Sequence, residues 1–436
     1  MTLLPHTARK VDDLIARAQV DGRAPAVVAA VVRDGELAHF GAFGSDPATG
    51  ATPTADTQFR IGSITKTMTA VMVMQLRDEG RLAVEDLLYR HLPGTPVGSA
   101  INLRQMLGHV SGLQREPDGQ WWERIDGTNL ETFLEALTPD KIAYPPHRRY
   151  HYSNLAYGLL GAVLQKVTGL DWTDLLTKRL LEPLGMGRTS HIEIEPFARG
   201  YVVHPWEGTL REEPRPDTAA MAPAGQLWST AADLAKWATF LADPDPGLLD
   251  PATLTEMCAP VVISDLESWT TGHGLGLELY RSGERIYVGH GGSMPGYLAH
   301  LLVHRPSKTS TIVFANAYTL QEERIASLNN QLLTLVLDAE PARPKPWRPA
   351  PDRQEHELSG PWWWMGRQLI GRFEGDELVL EPVRPPGAPW RFTQSSADVW
   401  RCHSGVNDGE VLRVRRDAQG TPSELDIATF VHTRQP

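Results

Sequence analysis

Apolar residues return at helical spacing from the start of the chain. Val11, Leu14, Ile15 and Ala18 share one face of a helix. Arg9, Lys10, Asp12, Asp13 and Arg17 interrupt the stretch where the apolar core of an export signal would lie. This helix therefore belongs to the fold, and a cytoplasmic protein is expected. Residues 25–32 then form a near-continuous apolar run. Asp34-Gly35 separates it from a second run ending at Phe40, which predicts a β-hairpin. Residues 61–77 read as a buried helix beginning near Gly62-Ser63. Residues 78–260 carry mostly helical periodicity and loops, with helices over 130–137, 155–167, 172–181 and 231–241. Strand signals return late. Residues 275–280, 285–289, 301–305 and 311–315 read as a meander, closed by a helix over 322–337. Two early strands, a helical middle, late strands and a closing helix predict an α/β lobe with an inserted all-α lobe.

The pattern changes after residue 340. Pro341, Pro344, Pro346, Pro349 and Pro351 make residues 341–352 a stiff linker. Residues 353–436 show short strand signals separated by turns such as Glu374-Gly375-Asp376 and Asn407-Asp408-Gly409. Six of the thirteen Trp lie in or after the linker, enough apolar bulk for a core separate from that of residues 1–340. A small all-β domain, sandwich or barrel, is expected there. The last signal, residues 424–434, alternates as one strand ending at Arg434.

Composition removes several classes of function. The 436 residues include 42 Lys+Arg and 53 Asp+Glu, for a net charge of −11. None of the eight Lys lies in a basic run, so no nucleic-acid surface is expected. The longest apolar runs, 25–32 and 155–164, are half the length of a membrane span, so no membrane partner is expected either. Cys258 and Cys402 belong to no Cys-x-x-Cys pair, and the His residues show no metal-ligand spacing. Neither metal nor other cofactor is expected.

Three short segments carry candidate chemistry. In Ile61-Gly62-Ser63-Ile64-Thr65-Lys66 a serine and a lysine three apart share a helix face. A serine at a helix start sits in the positive end of the dipole, and a buried lysine can accept its proton. An almost wholly apolar stretch follows Lys66, where an unpartnered ammonium would be costly. In Tyr150-His-Tyr152-Ser153-Asn154 a phenol can shuttle protons and an amide can orient neighbouring groups. In Val288-Gly289-His290-Gly291-Gly292-Ser293, glycines beside a polar residue at a strand end let a substrate backbone approach closely. Singly, each also reads as an N-cap, a helix start or a turn. His109 reads as a structural histidine in a helix-to-loop turn. Trp121-Trp122 and Trp362-Trp363-Trp364 read as core or interface rather than as a pocket.

Taken in this order and spacing, the three segments resemble the serine penicillin-recognising family. That family includes class C β-lactamases, D,D-carboxypeptidases, D-aminopeptidases and related carboxylesterases. Met106-Leu-Gly-His109-Val-Ser111-Gly112-Leu, Glu182-Pro-Leu-Gly185-Met and Ala224-Gly225-Gln-Leu-Trp-Ser229-Thr-Ala-Ala-Asp233-Leu look like further recurrent stretches of the family. The resemblance covers roughly residues 10–340 and implies a β-lactamase-like lobe, an antiparallel sheet flanked by helices. It implies that Ser63 attacks a carbonyl and becomes an ester, that Lys66 and Tyr152 move the proton, and that Asn154 holds Lys66 and the substrate amide. The backbone N–H groups of Ser63 and Ser293 would form the oxyanion hole. Gly225, Gly291 and Gly292 would line the substrate. His290 stands where many relatives carry Lys, so a partly charged imidazole would hold a substrate carboxylate.

Within that family the layout is most similar to penicillin-binding-protein-type thioesterases, which release nonribosomal peptides from a carrier protein and close them head to tail. Ser-x-x-Lys near position 60, Tyr-Ser-Asn, a His in the third motif and a small lipocalin-like β-domain after a linker carry this likeness. It implies a peptidyl thioester or ester substrate and a peptidyl carrier protein as partner. A covering β-domain would keep water from the acyl-enzyme, and Arg434 would touch substrate or carrier if its strand reached the cleft. A cytoplasmic carboxylesterase or a D-aminopeptidase is the alternative.

Overall fold

A computed structural model describes residues 2–119, 126–321, 323–341 and 356–436. Trp121-Trp122 and all but the first residue of the predicted linker lie outside the described residues. Chain contacts divide the molecule into two units, Met1–Ala342 and Arg343–Pro436.

The first unit is built on an eight-stranded antiparallel sheet. Its order is Glu36–Gly44, Ala26–Arg33, Thr309–Ala315, Tyr297–His304, Arg285–Met294, Glu278–Ser282, Thr271–His273 and Val262–Ile263. The Asp34-Gly35 hairpin forms as expected, with positive φ at both residues (49° and 83°). Strand Ala26–Arg33 is buried at all eight positions, which explains its unbroken apolar run. Val28, Ala30 and Val32 face the large core shared with the helical lobe. Val27, Ala29 and Val31 face a smaller core under helices Pro5–Asp21 and Ile325–Ala339.

The predicted helix at 61–77 is a 3₁₀ turn, Gly62–Ile64, that continues as helix Thr65–Asp78. Residues 65 to 76 of that helix are all buried. A helix apolar on every side must run through a core rather than lie on one. Helix Asn154–Thr168 packs near it and ends at Gly169 in the left-handed region (φ 74°). The predicted helix at 172–181 is α over Trp172–Leu176 and widens to a π turn over Thr177–Leu181.

Two differences from the sequence reading matter for the site. The strand predicted over 285–289 continues to Met294, so His290-Gly-Gly-Ser293 lies inside a strand, not beyond its end. Glycines give no alternating side-chain signal, which hid the extension. Strands Thr271–His273 and Val262–Ile263 are too short to show a period.

The second unit is a closed eight-stranded antiparallel barrel, each strand pairing with the next and Trp363 pairing with Thr433 to close it. The single strand predicted over 424–434 is a hairpin, Pro422–Ile427 and Phe430–Thr433. Ala428 and Thr429 turn it with φ of 50° and 74°, a conformation their identities do not announce. Trp362 is fully buried at the centre of the barrel core and donates its indole N–H to the Leu358 carbonyl at 2.9 Å. Trp362→Ala is expected to destabilise the barrel by ~3–5 kcal/mol. Hydrogen exchange on the full chain should show the amides of residues 360–433 losing protection by about a hundredfold or more.

Candidate active site

The reactive pair is placed by one turn of helix. Ser63 occupies the 3₁₀ turn, half-buried, and Lys66 stands on the same face at the first turn of the buried helix. The Lys66 Nζ donates to Ser63 Oγ at 2.9 Å and to the Ala224 carbonyl at 2.5 Å. Lys66 is 0% exposed, and its ammonium lies 5.0 Å from the Tyr152 ring and 5.4 Å from the Tyr157 ring. Burial pulls its pKa down to about 7, while the Glu116 and Glu278 carboxylates work the other way. An amine with a pKa near neutrality is free to accept a proton there, as a surface lysine is not.

Tyr152 completes the pair. Burial holds the pKa of its phenol well above the usual value, and the neighbouring Ser63 side chain works the other way. The phenol stays protonated at neutral pH and is able to donate a proton rather than to accept one. His109 props the ring from behind, stacked at 4.3 Å. His109 takes a left-handed backbone conformation (φ 55°), and its Nδ1 accepts the Ser153 N–H at 3.1 Å. The Tyr-x-Asn segment is thus held by the His109 turn.

The glycine strand closes the site from the other side. A two-residue turn joins Met294 to Tyr297, so Met294/Tyr297 is the hydrogen-bonded pair and Ser293/Leu298 is not. The Ser293 N–H and C=O therefore point away from the neighbouring strand. They face the serine turn: a Cβ on Gly62 would lie 2.5 Å from Ser293 N, and one on Gly292 would lie 1.9 Å from the Ile61 carbonyl and 3.2 Å from Ser63 N. Glycine is required at both positions by this approach, which brings the Ser63 and Ser293 amides to one place. Gly225 packs against Gly62 and Met294 in the same contact, at a buried position. Gly291 and Gly292 are partly exposed along the strand.

Two expected roles are corrected. Asn154 does not hold Lys66. Its Nδ2 donates to Glu116 Oε1 at 2.6 Å, and Lys66 is held by Ser63 and Ala224 instead. His290 is not a partial cation. It is 1% exposed, and burial, aided by nearby Lys66, pushes its pKa down to about 3. Its Nδ1 lies 2.5 Å from the Gly291 carbonyl, which can only accept, so the proton sits there and Nε2 is an acceptor. A neutral ring offering a lone pair cannot attract a carboxylate. Arg434 lies in the barrel, 3.7 Å over the Trp362 ring, and donates to the carbonyls of Glu357, Ser359 and Pro361.

Several residues escaped the sequence reading. Glu116 follows no motif. Glu278 ends its ladder opposite Gly289, and its side chain carries the pairing on by accepting the Gly291 N–H at 2.9 Å. His273, buried and with its pKa lowered to about 4, pairs its Nε2 with the Tyr150 hydroxyl at 3.1 Å. Among the described residues no group of His, Cys, Asp and Glu is arranged to hold a metal, and no helix is long and apolar enough to cross a membrane.

A sheet packed on a buried Ser-x-x-Lys helix, with a tyrosine and a glycine strand around the serine, defines the class. The β-lactamase family model matches residues 11–335, and the chain belongs to that family of serine hydrolases. Residues 351–434 match a domain family of unknown function (DUF7586). The chain is 29% identical over 322 residues to Beta-lactamase-like protein 2 of Dictyostelium discoideum, covering 70% of this chain and 58% of that protein. It therefore spans little more than half the length of that relative. A D-stereospecific amidohydrolase from Streptomyces sp. superposes with a TM-score of 0.64 at 25% identity, covering 76% of this chain and 98% of that one. SurE superposes with a TM-score of 0.61 at 24% identity, covering 98% and 99% of the two chains.

Acylation of Ser63 by a neutral fluorophosphonate should rise with pH through about 7 and then level off, because the free amine of Lys66 is the active form. Below pH 7 the rate should fall about tenfold per unit, with no second break above pH 4 from His290. Lys66→Arg, always protonated, should lose at least ~100-fold. A rate flat from pH 5 to 8 would contradict this assignment.

Proposed function

We propose that the chain works through an ester on Ser63 and that it releases a peptidyl thioester or ester by closing the peptide head to tail. The observation that carries acyl transfer is the dry Lys66 amine 2.9 Å from the Ser63 hydroxyl. Lys66 takes the hydroxyl proton as Ser63 Oγ attacks the carbonyl. The oxyanion that forms is held by the N–H groups of Ser63 and Ser293. Collapse expels the thiolate or alkoxide, which is protonated from Tyr152, and Lys66 returns a proton to the phenol. An amine, or water, then attacks the ester and gives up its proton as the Ser63 oxygen leaves and is reprotonated.

The head-to-tail reading is supported by layout. The motif set and the small β-domain resemble penicillin-binding-protein-type thioesterases, and SurE, similar across both units, has also been solved with D-Leu. A chain ending in a D-residue presents the same stereochemistry as a D-Ala-D-Ala donor. In this reading the substrate arrives on a peptidyl carrier protein. The neutral His290 favours such a donor over a β-lactam or a free peptide, because no fixed positive charge at that position waits for a carboxylate. A second reading, a D-residue amidase, aminopeptidase or carboxylesterase, is favoured by the likeness to the D-stereospecific amidohydrolase.

The full chain should be incubated with a linear peptidyl N-acetylcysteamine thioester ending in a D-residue, and the products weighed. A product lighter than the free acid by one water supports cyclisation. Free acid alone supports the hydrolytic reading. Ser63→Ala should give neither, and turnover retained in that variant would overturn the acyl-enzyme.

A further inference from the structure

The cleft carries acceptors in search of a donor. Glu116 is held in place by a built contact, not by chance. Ser153 Oγ donates to the Gln114 carbonyl at 2.7 Å, and the Asn154 and Leu155 N–H groups donate to the Arg115 carbonyl at 2.8 and 3.3 Å. These bonds seat the loop on the first turn of helix Asn154–Thr168, so that Glu116 Oε1 meets Asn154 Nδ2 at 2.6 Å. The other two oxygens of this pair, Glu116 Oε2 and Asn154 Oδ1, are buried and find no hydrogen-bond partner among the described residues. Asn154 as a whole is 7% exposed. Buried acceptors are rarely left unpaired, and an acid next to one asks for a cation that can donate.

Among the described residues the local cations do not fill this place. Lys66 spends its contacts on Ser63 and Ala224. Arg115 meets Glu116 through Oε1 at 3.3 Å, leaving Oε2. The second carboxylate near the serine, Glu278, is already occupied by the Gly291 N–H and the Tyr280 hydroxyl. His290 adds one more unpaired acceptor, its Nε2. The unpaired acceptors of this site thus suit a group that donates, where a lysine in the third motif would suit an anion. Burial raises the Glu116 carboxyl and Lys66 pulls it back, so a second ammonium would further favour the ionised form.

Building on the acyl-enzyme reading, we propose that Glu116 and Asn154 form a subsite for a primary ammonium beside the Ser63 ester. The ammonium would donate to Glu116 Oε2 and Asn154 Oδ1. Two sources share this chemistry. One is the α-ammonium of the acyl donor itself, as on an amino acid amide or ester. The other is the incoming amine of a peptide terminus, docked before it loses a proton and attacks.

The experiment uses the full chain and two donors, the N-acetylcysteamine thioesters of D-phenylalanine and of N-acetyl-D-phenylalanine, with D-alaninamide as added amine. A free-amine donor preferred at least tenfold in kcat/KM assigns the subsite to the donor. Saturable formation of N-acetyl-D-phenylalanyl-D-alaninamide assigns it to the acceptor. Glu116→Gln keeps an oxygen for Asn154 Nδ2 but removes the charge. It should reduce whichever preference is seen by tenfold or more, mainly through KM or the half-saturating amine concentration. Equal losses on both donors with an unchanged product ratio would mean that Glu116 only braces Asn154, and the subsite would be overturned. So would the absence of any amine preference in the unaltered chain. Fluorophosphonate labelling separates the two levels: Ser63 labelled without amine preference sinks the subsite alone, and Ser63 unlabelled sinks the acyl-enzyme with it.

Discussion

Everything in the catalytic unit turns on keeping one amine dry. A lysine at the surface is charged and inert as a base; the same lysine inside an apolar helix is a usable one. Lys66 stands at the first turn of a helix buried from Thr65 to Leu76, with the Ala224 carbonyl and the Ser63 hydroxyl as its hydrogen-bond partners. Tyrosine faces cover its sides without adding a full charge. The helix can be this apolar because the sheet packs on one side and the helical lobe on the other. Stability and chemistry therefore pull against each other at this residue, a tension common where a functional group is buried unprotonated.

The same dryness sets the character of the surrounding groups. His109, His273 and His290 lie close together, and burial lowers the pKa of each. As neutral rings they act as shaped acceptors and stacking surfaces. They brace Tyr152, tie down Tyr150 and leave the carboxylates as the fixed charges that oppose Lys66. A site of this kind concentrates its electrostatics on Glu116, Glu278, Lys66 and Arg115. Removing either acid should be felt at the amine, since both oppose the burial that lowers its pKa.

Parts of this were readable in the residue order because they are local. A helix face puts Ser63 and Lys66 together whatever surrounds them. Asp34-Gly35 turns a hairpin by its own backbone preference, and an apolar run of eight announces a strand covered on both faces. Other parts carried no local mark. The Ala428-Thr429 turn uses residues that seldom take positive φ, so the residue pattern looks like one strand where two exist. The extension from Gly289 to Met294 runs through glycines with no alternating side chains. Glu116 reaches Asn154 only because the 114–116 loop is hydrogen-bonded onto the next helix start, 38 residues away in sequence.

Short-range order was enough to mark the candidate serine and lysine, their three-residue spacing and the division into a mixed lobe and a β-rich tail. These follow from helix periodicity, turn chemistry and apolar content, which each segment carries by itself. Protonation and partnership were decided elsewhere. Whether His290 is a cation, which group grips Lys66 and what Asn154 touches depend on solvent exclusion and on contacts between distant segments. Charge is a property of surroundings, and the surroundings exist only once the chain has folded.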